Sequence, residues 1–130
     1  MKENKYLILD YVYIFLMILL TIIYLFPGSL IGLILMKDIA NQPIIIANPY
    51  GSSINHLIAF MLITIFGLIE RSKKTLINRV IFISTFSIIL ELFHFLIPNR
   101  SFEIIDVFAN LFGIIISILI ILILKKWRKK

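Results

Sequence analysis

The sequence predicts an all-α fold: a membrane-embedded bundle of four transmembrane helices in a single domain spanning residues 1–130. Three observations predict it. Apolar residues make up 61% of the chain and mean hydropathy is +1.05, where a soluble domain holds roughly 45–50% apolar residues. Four separate runs approach the ~20 apolar residues that a helix needs to cross a bilayer. The basic residues gather at the ends of those runs instead of covering a surface.

The first span covers about 6–26, with Asp10 as its only charge, and stops at Pro27-Gly28. Its apolar run exceeds that of a signal peptide and no small-x-small cleavage site follows, so it reads as a retained helix. The second covers about 54–70; it is short, and Ser52, Ser53 and Glu70 extend it as interfacial ends. The third covers about 80–97 and ends before Pro98; the fourth covers about 107–124 and ends in a basic tail. Between the first two spans, Leu30–Met36 is apolar but too short to cross, which suits a short helix lying at the interface or a re-entrant piece. Gly28 and Gly32 have small-residue packing spacing, and Pro43, Asn48, Pro49 and Gly51 mark turns and extended chain.

Eleven of the thirteen Lys and Arg residues fall on one side of these spans: Lys2, Lys5, the 71–79 loop and the tail after Leu124. Only Lys37 and Arg100 fall on the other. The positive-inside rule then puts both termini in the cytoplasm of a multi-pass bacterial inner-membrane protein. The tail is expected to meet anionic lipids and not nucleic acid, since no aromatic stacking platform accompanies it.

Several chemistries are excluded by sequence. Cysteine is absent, so there is no disulfide and no thiolate ligand. The chain has no Walker loop, no Gly-x-Ser-x-Gly elbow and no His-Glu-x-x-His.

What remains is a set of polar residues in apolar surroundings, which in membranes mark functional sites. Helical spacing puts Ser84, Ser87, Glu91 and His94 on one stripe of the third span. It puts Asp106, Asn110, Gly113 and Ser117 on one stripe of the fourth, and His56, Phe60, Thr64 and Gly67 on one stripe of the second. With the predicted orientation, His56, Glu91, His94, Asp106 and Asn110 all lie in the outer leaflet, next to Arg100 in the short outer loop. Each has a plainer role as well. Asp106 suits a helix N-cap, Asn110 an interhelical hydrogen bond, Arg100 a loop pair with Glu103 or Asp106, and His56 the aqueous interface. Glu91 lies deepest and needs a partner, which Arg100 would supply by folding back. Glu91-x-x-His94 has the spacing of di-iron bundles, but these need a second copy and none is present. Zinc held by His56, His94 and a carboxylate is open by residue type, yet no metal and no cofactor are expected.

The same residues resemble the VanZ-like family of small bacterial membrane proteins. The family shows Asp-Lys-x-x-His opening one span, then Glu-x-x-Gln, an Arg, and Asp-x-x-x-Asn-x-x-Gly opening the last. His56, Glu91, Arg100, Asp106, Asn110 and Gly113 match that pattern. Ser52 and Ser53 stand in place of the Asp-Lys pair, His94 in place of the glutamine, and Phe60 where tyrosine is frequent. The resemblance covers about residues 50–117 and implies a four-helix membrane protein. It also implies a link to the cell envelope and to resistance against teicoplanin-type glycopeptides.

The expected function is a binding module for an amphiphile, such as a lipid or lipid-linked envelope intermediate, at the outer leaflet. Arg100 would take an anionic head group, with His56, Glu91, His94, Asp106 and Asn110 as further ligand-binding residues. Two alternatives stand beside it: an enzyme using His56, Glu91 and Asp106 in acid–base chemistry on such a substrate, and a structural or accessory subunit. Oligomeric state is not legible.

Overall fold

The computed structural model describes residues 2–43, 51–69 and 72–128. Within them the chain is all-α: α1 Lys2–Leu25, α2 Leu30–Met36, α3 Ser53–Leu68, α4 Lys73–Phe93 and α5 Ile104–Trp127. Three of these, α1, α4 and α5, are long and apolar enough to cross a membrane. Their 24, 21 and 24 residues span roughly 32–36 Å at about 1.5 Å per residue. Their outward side chains are apolar and exposed, for example Phe15, Ile18 and Ile22 on α1, Ile81 and Phe82 on α4, and Phe108, Phe112 and Leu119 on α5. Water would not tolerate so large an apolar surface; this is a membrane protein. α3 is apolar but has 16 residues, about 24 Å.

Local signals set the ends. Pro27 and Gly28 stop α1, and Gly28 takes the left-handed φ of +88° there. The Ser29 hydroxyl caps α2 by accepting the Gly32 N–H at 2.9 Å, and Lys37 closes it in the left-handed region. The Ser72 hydroxyl accepts the Thr75 N–H and starts α4. Several boundaries differ from the sequence reading: α1 starts at Lys2 instead of 6, α4 at Lys73 instead of 80, and α5 runs on to Trp127 instead of 124. The third helix ends at Phe93 with His94 as its C-cap, because the chain turns through 94–99 well before Pro98 is reached. The fourth helix begins three residues early, at Ile104 after the N-cap position Glu103. Asp106 therefore sits inside the first turn and is not the cap.

The core runs along α3, which packs along α5 and also touches α1 and α4. Phe60, Ile63, Ile83, Leu90 and Ile114 fill it, with Tyr13, Met17, Leu20 and Tyr24 from α1. Small residues permit the α3–α5 approach. A Cβ on Gly113 would stand 2.3 Å from the Leu57 carbonyl oxygen. One turn on, the Ser117 hydroxyl donates to the Met61 carbonyl at 2.8 Å. The pairing expected of Gly28 and Gly32 takes another form. Both face the 38–41 chain, where a Gly32 Cβ would collide with the Asn41 carbonyl, so they fold the loop instead of joining helices. Asn48, Pro49, Glu70, Arg71, Lys129 and Lys130 lie outside the described residues.

Candidate functional site

The C-terminal end of α1, the N-terminal ends of α3 and α5 and the C-terminal end of α4 meet at one level. There His56, Glu91, His94, Asp106 and Asn110 are all buried, as helical spacing predicted. The three stripes do converge, with Ser84 the one stripe member of α4 left only half-buried.

At the centre stands Tyr24, which sequence reasoning passed over. Its hydroxyl donates to Asn110 Oδ1 at 3.1 Å and lies 2.8 Å from His56 Nδ1. A phenol has one proton. Since that proton goes to Asn110, the His56 contact is Nδ1–H donating to the phenolic oxygen. In the neutral ring, His56 Nε2 is then the unprotonated nitrogen. It faces Asp106 Oδ2 at 3.5 Å. The advance signal for Tyr24 was weak: a phenol three residues before Pro27, in a run that also holds Tyr6, Asp10, Tyr11, Tyr13 and Thr21.

Glu91 and His94 form the second half. His94 Nε2 lies 3.1 Å from the Tyr24 carbonyl, which can only accept, so Nε2 carries a proton. His94 Nδ1 meets Glu91 Oε1 at 3.0 Å, and the same oxygen accepts the Glu103 N–H at 3.2 Å. The His94 ring also stacks on Tyr24, with centroids 5.7 Å apart. The partner of Glu91 is thus His94 and a backbone amide, not Arg100. Its other oxygen, Oε2, lies 3.8 Å from His56 Nδ1. That is beyond hydrogen-bond distance. Among the described residues Glu91 Oε2, Asp106 Oδ1 and Asn110 Nδ2 have no hydrogen-bond partner.

Arg100 corrects the sequence reading most sharply. Its Nε donates to the Phe26 carbonyl at 3.3 Å, Nη2 to the Ile23 carbonyl at 3.0 Å and Nη1 to Gln42 Oε1 at 3.4 Å. These close the C-terminal end of α1, whose last carbonyls have no helical partner. None of these bonds goes to Glu91, Glu103 or Asp106. Burial pulls the guanidinium below its ordinary pKa, while Tyr24, Glu91 and Asp106 oppose that shift.

Two hollows adjoin the cluster, and a third adjoins the larger of them. A polar pocket of about 70 Å³ is lined by Gln42, Ser52, His56, His94, Asn99, Arg100, Ser101, Glu103 and Asp106. A mainly apolar cavity of about 240 Å³ lies between α1, α2 and α3, walled by Leu20, Ile23, Leu30, Ile31, Ala59 and Leu62, and rimmed by Gln42, His56 and Arg100. A groove of about 200 Å³ continues along the α1–α3 seam and shares Leu20, Ile23, Ala59 and Leu62 with the cavity.

A second polar contact lies at the opposite end, where Asp10 pairs with Arg79. Arg79 Nη1 also donates to the Gly67 carbonyl at 3.0 Å, and its guanidinium lies 4.8 Å from the Tyr13 ring centroid. Compared with protein-family models, curated proteins and solved structures, the chain matches none.

Proposed function

We propose that this chain is a four-span membrane protein of VanZ-like type that binds an amphiphile, a lipid or lipid-linked envelope intermediate, from the outer leaflet of the bacterial inner membrane. In this reading α3 is the fourth span, sheltered by α5 and α1 and reaching the interface through Ser52. The distribution of Lys and Arg supports a cytoplasmic location for both termini. Resistance to teicoplanin-type glycopeptides would be one consequence of occupying such a ligand, and rests on the sequence resemblance alone.

The observation that carries the binding reading is that the polar pocket and the apolar cavity share Gln42, His56 and Arg100. A polar chamber sharing wall residues with an apolar one, and that one with a groove between helices, suits a head group joined to a chain. The cavity's 240 Å³ is below the roughly 300–1,000 Å³ of an enclosed ligand site. It therefore suits the first part of a chain, with the remainder along the seam. Arg100 keeps one N–H on each terminal nitrogen beyond those used on carbonyls, enough for an anionic oxygen at the pocket wall.

Native mass spectrometry of the protein extracted in mild detergent tests this. One lipid retained per chain is expected, and its loss in Ala59→Phe, which fills the cavity without touching the polar cluster. No retained lipid, or retention unchanged by Ala59→Phe, overturns the reading.

A second reading, an enzyme on the same substrate class, draws on the carboxylates flanking His56. Glu91→Gln keeps shape and removes ionisation. Under acid–base catalysis it abolishes turnover while leaving lipid retention intact; undiminished turnover removes Glu91 from the chemistry.

A further inference from the structure

We infer that His56, Glu91 and Asp106 form a binding site for a single divalent transition-metal ion, with one coordination position open toward the polar pocket. The inference is independent of the amphiphile reading and survives its failure.

The donor set comes first. One potential ligand atom from each of the three residues lies within 4.8 Å of the others, and all three residues are buried. Ligand atoms on one tetrahedral ion stand roughly 3.4 Å apart when each bond is about 2.1 Å. His56 Nε2 and Asp106 Oδ2 already stand 3.5 Å apart. Glu91 Oε2 approaches His56 from the Nδ1 side, at 3.8 Å, so the Glu91 side chain must swing toward Nε2 to complete the set.

The second observation is where the protons are. Tyr24 gives its proton to Asn110, so His56 donates from Nδ1 and presents a bare lone pair at Nε2. That lone pair faces Asp106 Oδ2 at 3.5 Å. Glu91 Oε2, on a residue with no exposed surface, has no partner either, nor has Asp106 Oδ1. Acceptors with nothing to accept, enclosed away from solvent, are costly. A cation satisfies His56 Nε2 and Glu91 Oε2 together and takes Asp106 through one of its two oxygens.

The third observation is the support around the set. Metal-binding histidines donate their other N–H to a fixed acceptor, and ligand carboxylates are themselves hydrogen-bonded. Here His56 Nδ1 is held by Tyr24, and Glu91 Oε1 by His94 and the Glu103 amide. His94 is thus a positioning residue for Glu91 and not a ligand, unlike in the zinc set that residue type alone suggested. One imidazole with two carboxylates favours a first-row ion such as Zn²⁺ or Mn²⁺ over Mg²⁺ or Ca²⁺, which prefer all-oxygen shells. Three protein ligands and an open position toward water is the arrangement of reactive and ligand-binding metal sites, not of closed structural ones.

The test uses the full-length protein without a histidine tag, in detergent, stripped by chelator and titrated with Zn²⁺ by calorimetry, with Mg²⁺ as control. One Zn²⁺ per chain is expected, with Mg²⁺ bound at least about 100-fold more weakly. Asp106→Asn is expected to weaken Zn²⁺ by more than about 100-fold, and Tyr24→Phe, which acts through His56, by roughly 10–100-fold. Replacing Zn²⁺ with Co²⁺ reads the ligands directly: visible ligand-field bands appear in the unaltered protein and vanish in His56→Ala. Absence of saturable Zn²⁺ binding in the unaltered protein overturns the inference, whatever the variants do. So does Zn²⁺ affinity unchanged in a folded Asp106→Asn protein.

Discussion

The phenolic oxygen of Tyr24 lies 2.8 Å from Nδ1 of His56, tying the last turn of α1 to the first turns of α3. The same hydroxyl reaches Asn110 on α5, so one atom joins three helices at the level of the site. It also decides which nitrogen of His56 faces Asp106. A residue that fixes both packing and tautomer makes the first prediction.

Tyr24→Phe keeps the ring and its edge-on contacts with Phe60 and His56 but removes the hydroxyl. His56 Nδ1 and Asn110 Oδ1 are then left buried without a partner, which costs about 1–3 kcal/mol. Thermal unfolding in detergent should show the loss. The His56 ring should also change tautomer, donating from Nε2 to Asp106, and its ring ¹⁵N shifts report that. Unaltered shifts would show that Tyr24 does not set the proton.

Arg100→Lys separates two roles. The guanidinium donates in three directions to two carbonyls and one amide oxygen, a fork that an ammonium cannot reproduce. If capping α1 is its main work, the lysine variant loses about 1–3 kcal/mol of stability while lipid retention per folded molecule persists. If anion recognition dominates, retention falls and the unfolding midpoint barely moves. Carbonyl geometry favours the first outcome, and the two are read on one sample by unfolding and native mass spectrometry.

Much of this arrangement was legible because helices are periodic. His56, Glu91, Asp106 and Asn110 fall on buried stripes by spacing alone, and two antiparallel crossings bring them to one level. Leu30–Met36 was legible as a short helix from its apolar run. The rest depends on contacts between residues far apart in the chain. Tyr24 bonds to residues 32 and 86 positions away, and a tyrosine in an apolar run gives no sign of that. Arg100 looked like a partner for carboxylates because opposite charges attract. The open carbonyls at the end of α1 were nearer and equally in need of donors. Asp106 looked like a cap because the helix was started too late; the apolar pair Ile104–Ile105 already belongs to it.

Gly113 tests the α3–α5 seam. A methyl group there would stand 2.3 Å from the Leu57 carbonyl and 2.9 Å from the Met61 nitrogen, both backbone atoms that cannot swing aside. Gly113→Ala therefore forces the helices apart and strains the Ser117 bond to Met61. A loss of about 1–3 kcal/mol is expected, with lower folded yield from membranes. Phe112→Ala next to it, whose side chain is exposed, should leave both unchanged. Equal effects of the two would mean that the seam is not a close contact.

Orientation is tested by tags. Four spans with eleven of thirteen basic residues on one side predict that epitopes at either terminus are protected from external protease in intact spheroplasts. A tag inserted after Asn99, in the turn between α4 and α5, should be cleaved. Protection at one terminus and cleavage at the other would mean an odd number of crossings, with α3 buried as a half-span.

Asp10 and Arg79 pair across α1 and α4 at the end away from the site. Both side chains keep some exposure, 35% and 20% respectively, so screening limits the pair to about 0.5–1 kcal/mol. Arg79 has further work, donating to the Gly67 carbonyl and lying over the Tyr13 ring. Removing Arg79 should consequently cost more than removing Asp10. A double-mutant cycle with Asp10→Asn and Arg79→Gln isolates the pair: the singles should differ, and the double should cost less than their sum by about the pair energy. Additive costs would mean that the two charges are neighbours without coupling. Arg79 would then act on α1 through the Tyr13 ring instead of through Asp10.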